Sequence, residues 1–169
     1  LNVVTNGMQD VTLGFERGTG DELERAPRSP GEALLDRTAL MLMIPPALYM
    51  ATAAITLFAW RIQAGDTIDA ARNLVLFTTV LFQNAYVLCM RSERKAVLHL
   101  PLLGNPWLLA GVMGALLLQL IAQHVPPFGA VLGTAPMAFA DYGVALAAAL
   151  GLALVTEITK FLVFDRTFP

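Results

Sequence analysis

The chain has 169 residues, of which 56% are hydrophobic and 14% charged, and its mean hydropathy is +0.62. That composition is too apolar for a water-soluble domain of this length and too uninterrupted for one compact core, so it reads as an integral membrane protein. A net charge of -2 and an isoelectric point near 5.6 offer no basic surface for nucleic acid.

The first element, LNVVTNGMQDVTLGFE at residues 1–16, places Asn2, Asn6 and Asp10 at i, i+4 and i+8, with Thr5 beside them. On a helix such spacings share a face. A carboxylate at the centre of a bilayer costs roughly 2.5 to 3.5 kcal/mol, so a face of this kind marks an ion path more readily than helix-to-helix glue. Its oxygen-only donors suit a hard cation and disfavour copper or zinc. The element is expected to be the end of a membrane helix, and the chain reads as part of a longer protein.

Residues 17–37 follow, with GTGDELERAPRSPGEALLD at positions 18–36. Prolines, glycines and alternating charges predict a turn-rich loop rather than a domain. Four apolar segments come next, at 38–60, 74–90, 107–123 and 142–164, each 17 to 23 residues long. Such lengths cross about 30 Å of hydrocarbon as helices. The fold class expected is therefore all-α: an integral membrane bundle made of the end of one membrane helix plus four transmembrane helices. Nine of the eleven basic residues (Arg17, Arg25, Arg28, Arg37, Arg91, Arg94, Lys95, Lys160 and Arg166) fall on one side, against Arg61 and Arg72 on the other. The positive-inside rule puts the nine in the cytoplasm, together with both ends of the block and the 165–169 tail.

Between the spans, Asn105-Pro106 leads into Trp107, an aromatic residue suited to the interface, while residues 124–140 form an uncharged external connection with Pro126, Pro127 and Pro136. Polar residues recur at membrane depth. Gln83 and Asn84 lie in the second span, where an amide either joins helices or coordinates an ion. Gln119 in the third is expected to be wetted near the external interface. Glu157 and Lys160, at i and i+3 in the last span, suit a self-neutralising pair or a snorkelling anchor. Cys89 reads as a small buried packing residue. His99 and His124 lie in opposite loops, and no Gly-rich phosphate loop, HExxH or CxxC occurs.

The run NVVTNGMQDVTLGFE followed by DELERAPRSPGEALL resembles the sixth membrane helix and succeeding loop of P-type cation-transporting ATPases, nearest the calcium-pump branch. ARNLVLFTTVLFQ with SERKA is similar to the eighth helix and its exit, NPWLL to the start of the ninth, and TEITKFLV to the close of the tenth. The resemblance implies that this chain is the C-terminal membrane region of an ATP-driven pump. Residues 1–16 would be the cytoplasmic half of the sixth helix, 17–37 a coupling loop through Glu24, Arg25 and Arg28, and 38–164 the supporting bundle.

It also implies a ligand set for the transported cation. Calcium pumps use the residues at Asn2 and Thr5, and place acids at the positions of Asn6 and Gln83; this chain carries amides at both. Asp10, one turn nearer the cytoplasm, becomes the candidate to supply charge, and a single divalent or a monovalent ion fits better than two calcium ions. The parent would use ATP and Mg2+, phosphorylating an aspartate in a D-K-T-G-T motif that is not in this chain, so the chain alone is expected to be inactive and to hold no cofactor. The partners implied are the lipid bilayer, the remaining helices and cytoplasmic domains of the same pump, and the transported cation. A bacterial inner membrane is the expected setting. Two other classes fit the composition: a small four-span scaffold with no ion site, and a non-ATPase channel or transporter subunit, which would call for inverted repeats or broken helices.

Overall fold

The structure is a computed structural model that describes residues 2–16, 18 and 35–164, with side chains from position 7 onward except at 102. Among these residues it is all-helical, with six α-helices: α1 (Asn2–Leu13), α2 (Arg37–Gln63), α3 (Ile68–Cys89), α4 (Pro106–His124), α5 (Pro126–Leu132) and α6 (Phe139–Phe164). Two single 3-10 turns, Val97–His99 and Leu102–Gly104, join α3 to α4. Three helices, α2, α4 and α6, are long and apolar enough to cross a membrane. The 22-residue α3 extends about 33 Å but carries Asn73, Thr78, Thr79, Gln83 and Asn84, and so falls short on composition.

Local chemistry sets the helix ends. Asp36 caps α2 by accepting from the Ala39 amide at 2.7 Å, Thr67 caps α3 through Ala70, and Asn105 caps α4 through Leu108. These caps lengthen α2 and α3 beyond their apolar windows into polar first turns. The connection at 124–140 holds a helix of its own: Pro126 and Pro127 sit where the missing amide costs nothing, and Gly133 closes the turn at φ +64°.

α3 is the central helix. It packs most extensively on α6, shares α2 with it, and contacts α1 and α4 on its other side; α4 in turn packs on α1 and α5. Along the first seam, Leu74, Phe77 and Ala145 form one buried cluster, and Phe82, Ala149 and Leu152 another. Phe77 meets Tyr142 edge-on at 5.0 Å and Tyr49 meets Phe82 at 6.1 Å.

Small residues set the approach of the helices. Gly151 of α6 lies under Tyr49, whose hydroxyl donates to the Ala148 carbonyl at 3.0 Å; a Cβ at Gly151 would collide with the Tyr49 hydroxyl. At Gly111 of α4 a Cβ would stand 2.7 Å from the Thr12 hydroxyl and 3.2 Å from the Met8 carbonyl, so the gap between α1 and α4 is a backbone-scale one. Gly151→Val should therefore destabilise the detergent-solubilised protein by about 1 to 3 kcal/mol, read as a lower thermal midpoint. Adding Tyr49→Ala should recover part of that loss, and an unshifted midpoint would mean that this contact does not set the α2–α6 spacing.

Candidate functional site

α1 meets the rest of the bundle through an amide. Gln9 is 2% exposed, and its Nε2 donates to Oδ1 of Asn84 on α3, itself buried. Each residue along a helix advances by about 100°, so the side chain after Gln9 turns away from that contact. Asp10 is exposed, beside the equally exposed Gly7 and Val11. Gln83 is half-buried on α3, next to Asn84. Thus α1 and α3 come together through Gln9 and Asn84, not through Asp10. Asn2, Thr5 and Asn6 belong to the first turns of α1, with side chains outside those described, and Glu24, Arg25 and Arg28 lie outside the described residues altogether.

One turn further, α1 is tied to the loop between α3 and α4. Glu16 accepts from Arg91 at 2.8 Å and from Asn105 Nδ2 at 2.9 Å; Asn105 also donates to the Thr12 carbonyl at 3.0 Å while capping α4. Arg91 Nη1 reaches the Pro101 carbonyl at 3.0 Å. Asn105 thereby serves the carbonyl end of α1 and the amide end of α4 with one side chain. Burial raises the Glu16 pKa, but the Arg91 and Asn105 hydrogen bonds and the Arg91 charge outweigh it, and the carboxyl is held below its ordinary value.

At the same end, Lys160 Nζ lies 2.7 Å from Glu157 and is buried, with side-chain exposure of 3%. It donates to the Cys89 carbonyl at 2.6 Å, and Glu157 accepts from the Val97 amide at 3.3 Å. The pair is an internal clamp between α6 and the end of α3, and Lys160 does not snorkel outward. The opposite end carries a second ionic group, Arg61 with Asp66 at 2.8 Å and with buried Asp141 at 3.2 Å.

Sequence reasoning expected Gln119 to be wetted; instead it is 0% exposed, and Gln123, one turn on, is 2% exposed. Neither amide has a hydrogen-bond partner among the described residues. Gln119 lies on the buried stripe of α4 that carries Leu108, Gly111, Val112, Ala115 and Ala122, the side that meets α1 at Gly111. Cys89 is buried and His99 exposed, while His124 lies 3.4 Å from the Tyr142 hydroxyl. Among the described residues no three His, Cys, Asp or Glu side chains are grouped to hold a metal ion.

Sequence reasoning missed Gln9, Glu16, Asn105 and Asp141. Gln9 precedes Asp10 and follows Thr5 by one turn, a spacing that marked it as a face residue. Asn105 before Pro106 carried the signature of a helix cap.

A helix with a polar inner face, joined by a charged anchor to an apolar bundle, is matched by one family model, "Cation transporting ATPase, C-terminus", over residues 1–162. The chain belongs to this family, the C-terminal membrane region of P-type cation pumps. Among its relatives are "Calcium-transporting ATPase type 2C member 2" of Mus musculus, 26% identical over 95% of this chain and 17% of the relative. "Probable cation-transporting ATPase F" of Mycobacterium tuberculosis is 26% identical over 100% of this chain and 18% of the relative. The human "Calcium-transporting ATPase type 2C member 1" is 23% identical over 95% and 17%. The chain thus spans less than a fifth of the relatives it matches.

Because the Glu16 carboxyl is depressed, its contribution to stability is present above the pKa of the unfolded chain and is lost as pH falls through the lower folded value. The difference in thermal midpoint between the protein and its Glu16→Gln variant should be constant near neutrality and vanish on acidification. A difference that instead grows as the pH falls would contradict the Arg91–Glu16–Asn105 anchor.

Proposed function

We propose that this chain is the part of an ATP-driven pump that completes one side of its cation path, with α1 as the sixth helix of the family pattern and α2, α3, α4 and α6 as the seventh to tenth. The transported ion in this reading is a hard cation, calcium or another divalent, held by Asn2, Thr5, Asn6, Asp10 and Gln83 together with groups outside this chain. The observation that carries the reading is the buried Gln9–Asn84 contact, which brings the polar helix α1 against the polar helix α3 beside Gln83. Two relatives named as calcium-transporting add support for the ion.

The exposed face of α1 bearing Gly7, Asp10 and Val11 is proposed to dock against the remaining helices of the pump, which would enclose the carboxylate. Placing α3 as a fourth span gives it the position its burial suits, since Asn73, Thr78 and Asn84 are buried in the bundle. Arg91, Arg94, Lys95 and Lys160 then gather at the end where α1 and α3 finish, proposed as cytoplasmic, with Arg61 and Arg72 outside. ATP and Mg2+ chemistry belongs to other domains of the pump, and the loop through Glu24, Arg25 and Arg28 is proposed to pass the phosphorylation state to α1. A bacterial plasma membrane is the host proposed, on the short connections and the alignment of the whole chain with the mycobacterial relative.

In the intact pump, Asp10→Asn should abolish cation-stimulated phosphorylation at unchanged expression, and Gln83→Glu should raise divalent affinity by roughly tenfold through added ligand charge. Cation dependence that survives Asp10→Asn would remove Asp10 from the path, and an unchanged affinity would leave Gln83 as packing.

A further inference from the structure

A cavity of about 270 Å³ opens between the end of α1 and the two 3-10 turns, lined among others by Glu16, Arg91, Lys95, His99, Pro101 and Gly104. The charges in it are unequal in availability. Arg91 is spent on Glu16, with side-chain exposure of 3% against 18%. The seat is tight, for a Cβ at Gly104 would stand 2.9 Å from the guanidinium. Arg94 lies over the Phe164 ring at 5.3 Å. Lys95 and His99 are exposed, and their side chains make no hydrogen bond or ion pair with any described residue. Glu93 is the one acid within 91–99, so that segment still has a positive balance.

Exposed apolar groups neighbour these lining residues in the chain. Leu98 is 92% exposed, Leu103 76%, Trp107 65% and Phe15 61%, with the Phe15 and Trp107 rings 6.5 Å apart. Leucines this bare cost roughly 25 cal/mol per Å² in water, so a covering apolar group is favoured there. An ammonium with no partner among the described residues, beside a cavity with a tryptophan and leucines nearby, is the composition of the headgroup boundary.

We propose that this cavity holds the phosphate of an anionic phospholipid, whose acyl chains lie along Leu98, Leu103 and Trp107. Lys95 supplies the charge, His99 a ring nitrogen at the rim, and the Arg91–Glu16 pair a rigid floor. The apolar rim selects a lipid over a soluble phosphate, because only a lipid covers it. The proposal is independent of which ion is moved and of which side of the membrane this end occupies.

The test uses the full-length pump in nanodiscs of phosphatidylcholine, with and without a fixed fraction of phosphatidylglycerol. Native mass spectrometry reads the retained lipid and thermal unfolding reads the stabilisation. The pump should retain phosphatidylglycerol preferentially, and Lys95→Gln with His99→Gln should cut that preference about fivefold, the size expected of one basic residue at an anionic surface. Lys95→Arg should restore it, and Arg72→Gln, an exposed change at the opposite end, should leave it intact. Equal retention in the double variant would overturn the site, as would an equal loss with Arg72→Gln, which would mean bulk charge alone. Stabilisation of phosphatidylcholine nanodiscs by inorganic phosphate to the same degree would overturn the lipid as occupant. Both variant residues are exposed and unpaired among the described residues, so a drop in baseline stability of the double variant in pure phosphatidylcholine would likewise contradict the assignment.

Discussion

An amide inside an apolar bundle has to find another polar group, since leaving one buried and unpaired costs about 1 to 3 kcal/mol. Gln9 and Asn84 meet that demand for each other, and the arrangement of α1 depends on it. With Gln9 turned inward, helical geometry turns Asp10 outward, Thr12 lies over Gly111, and Glu16 arrives one turn later beside Arg91 and Asn105. One contact therefore fixes the rotation of α1, and a few Å of bare backbone at Gly111 fix its distance from α4. The carboxylate that the sequence makes conspicuous is presented to whatever packs on the other face of the helix.

The ends of the bundle follow the same requirement. Charged groups lie where helices finish, and each closes a gap in the backbone hydrogen bonding: Asn105 serves both α1 and α4, and Lys160 takes the last carbonyl of α3. These clamps bind α3 to α6 on one side and α1 to the 3-10 turns on the other, so a displacement of α1 has a route into the whole bundle through α3. Gln119 and Gln123 stand apart from this pattern, two amides one turn apart, buried in α4 without hydrogen-bond partners among the described residues.

The all-helical architecture and the membrane were legible because composition and run length report them directly, and the family was legible in the first sixteen residues and the later short motifs. Details that depend on three dimensions were not. Hydropathy windows skip polar first turns, so the start of α3 at Ile68 was hidden by Asp69, Arg72 and Asn73. Prolines at 126 and 127 read as breaks, although at the first positions of a helix they favour it, and Gly133 marked the other end. Gln119 was misjudged because nearness to the outer end of the span was taken to mean water, although its spacing from Leu108, Val112 and Ala115 puts it on the buried stripe of α4. The carboxylate drew attention to Asp10 while its neutral neighbour Gln9 makes the contact; charge identifies chemistry, but register decides which side chain faces in.

Gln9 and Asn84 are proposed to act as a unit that holds α1 in place for the proposed cation path, and a double-mutant cycle in the full-length pump measures this directly. With the cation concentration for half-maximal phosphorylation as the readout, Gln9→Leu and Asn84→Leu should each raise it by a similar factor, about fivefold to tenfold, and the double variant should be no worse than either. Effects that multiply, or a half-maximal concentration that no variant moves, would contradict it.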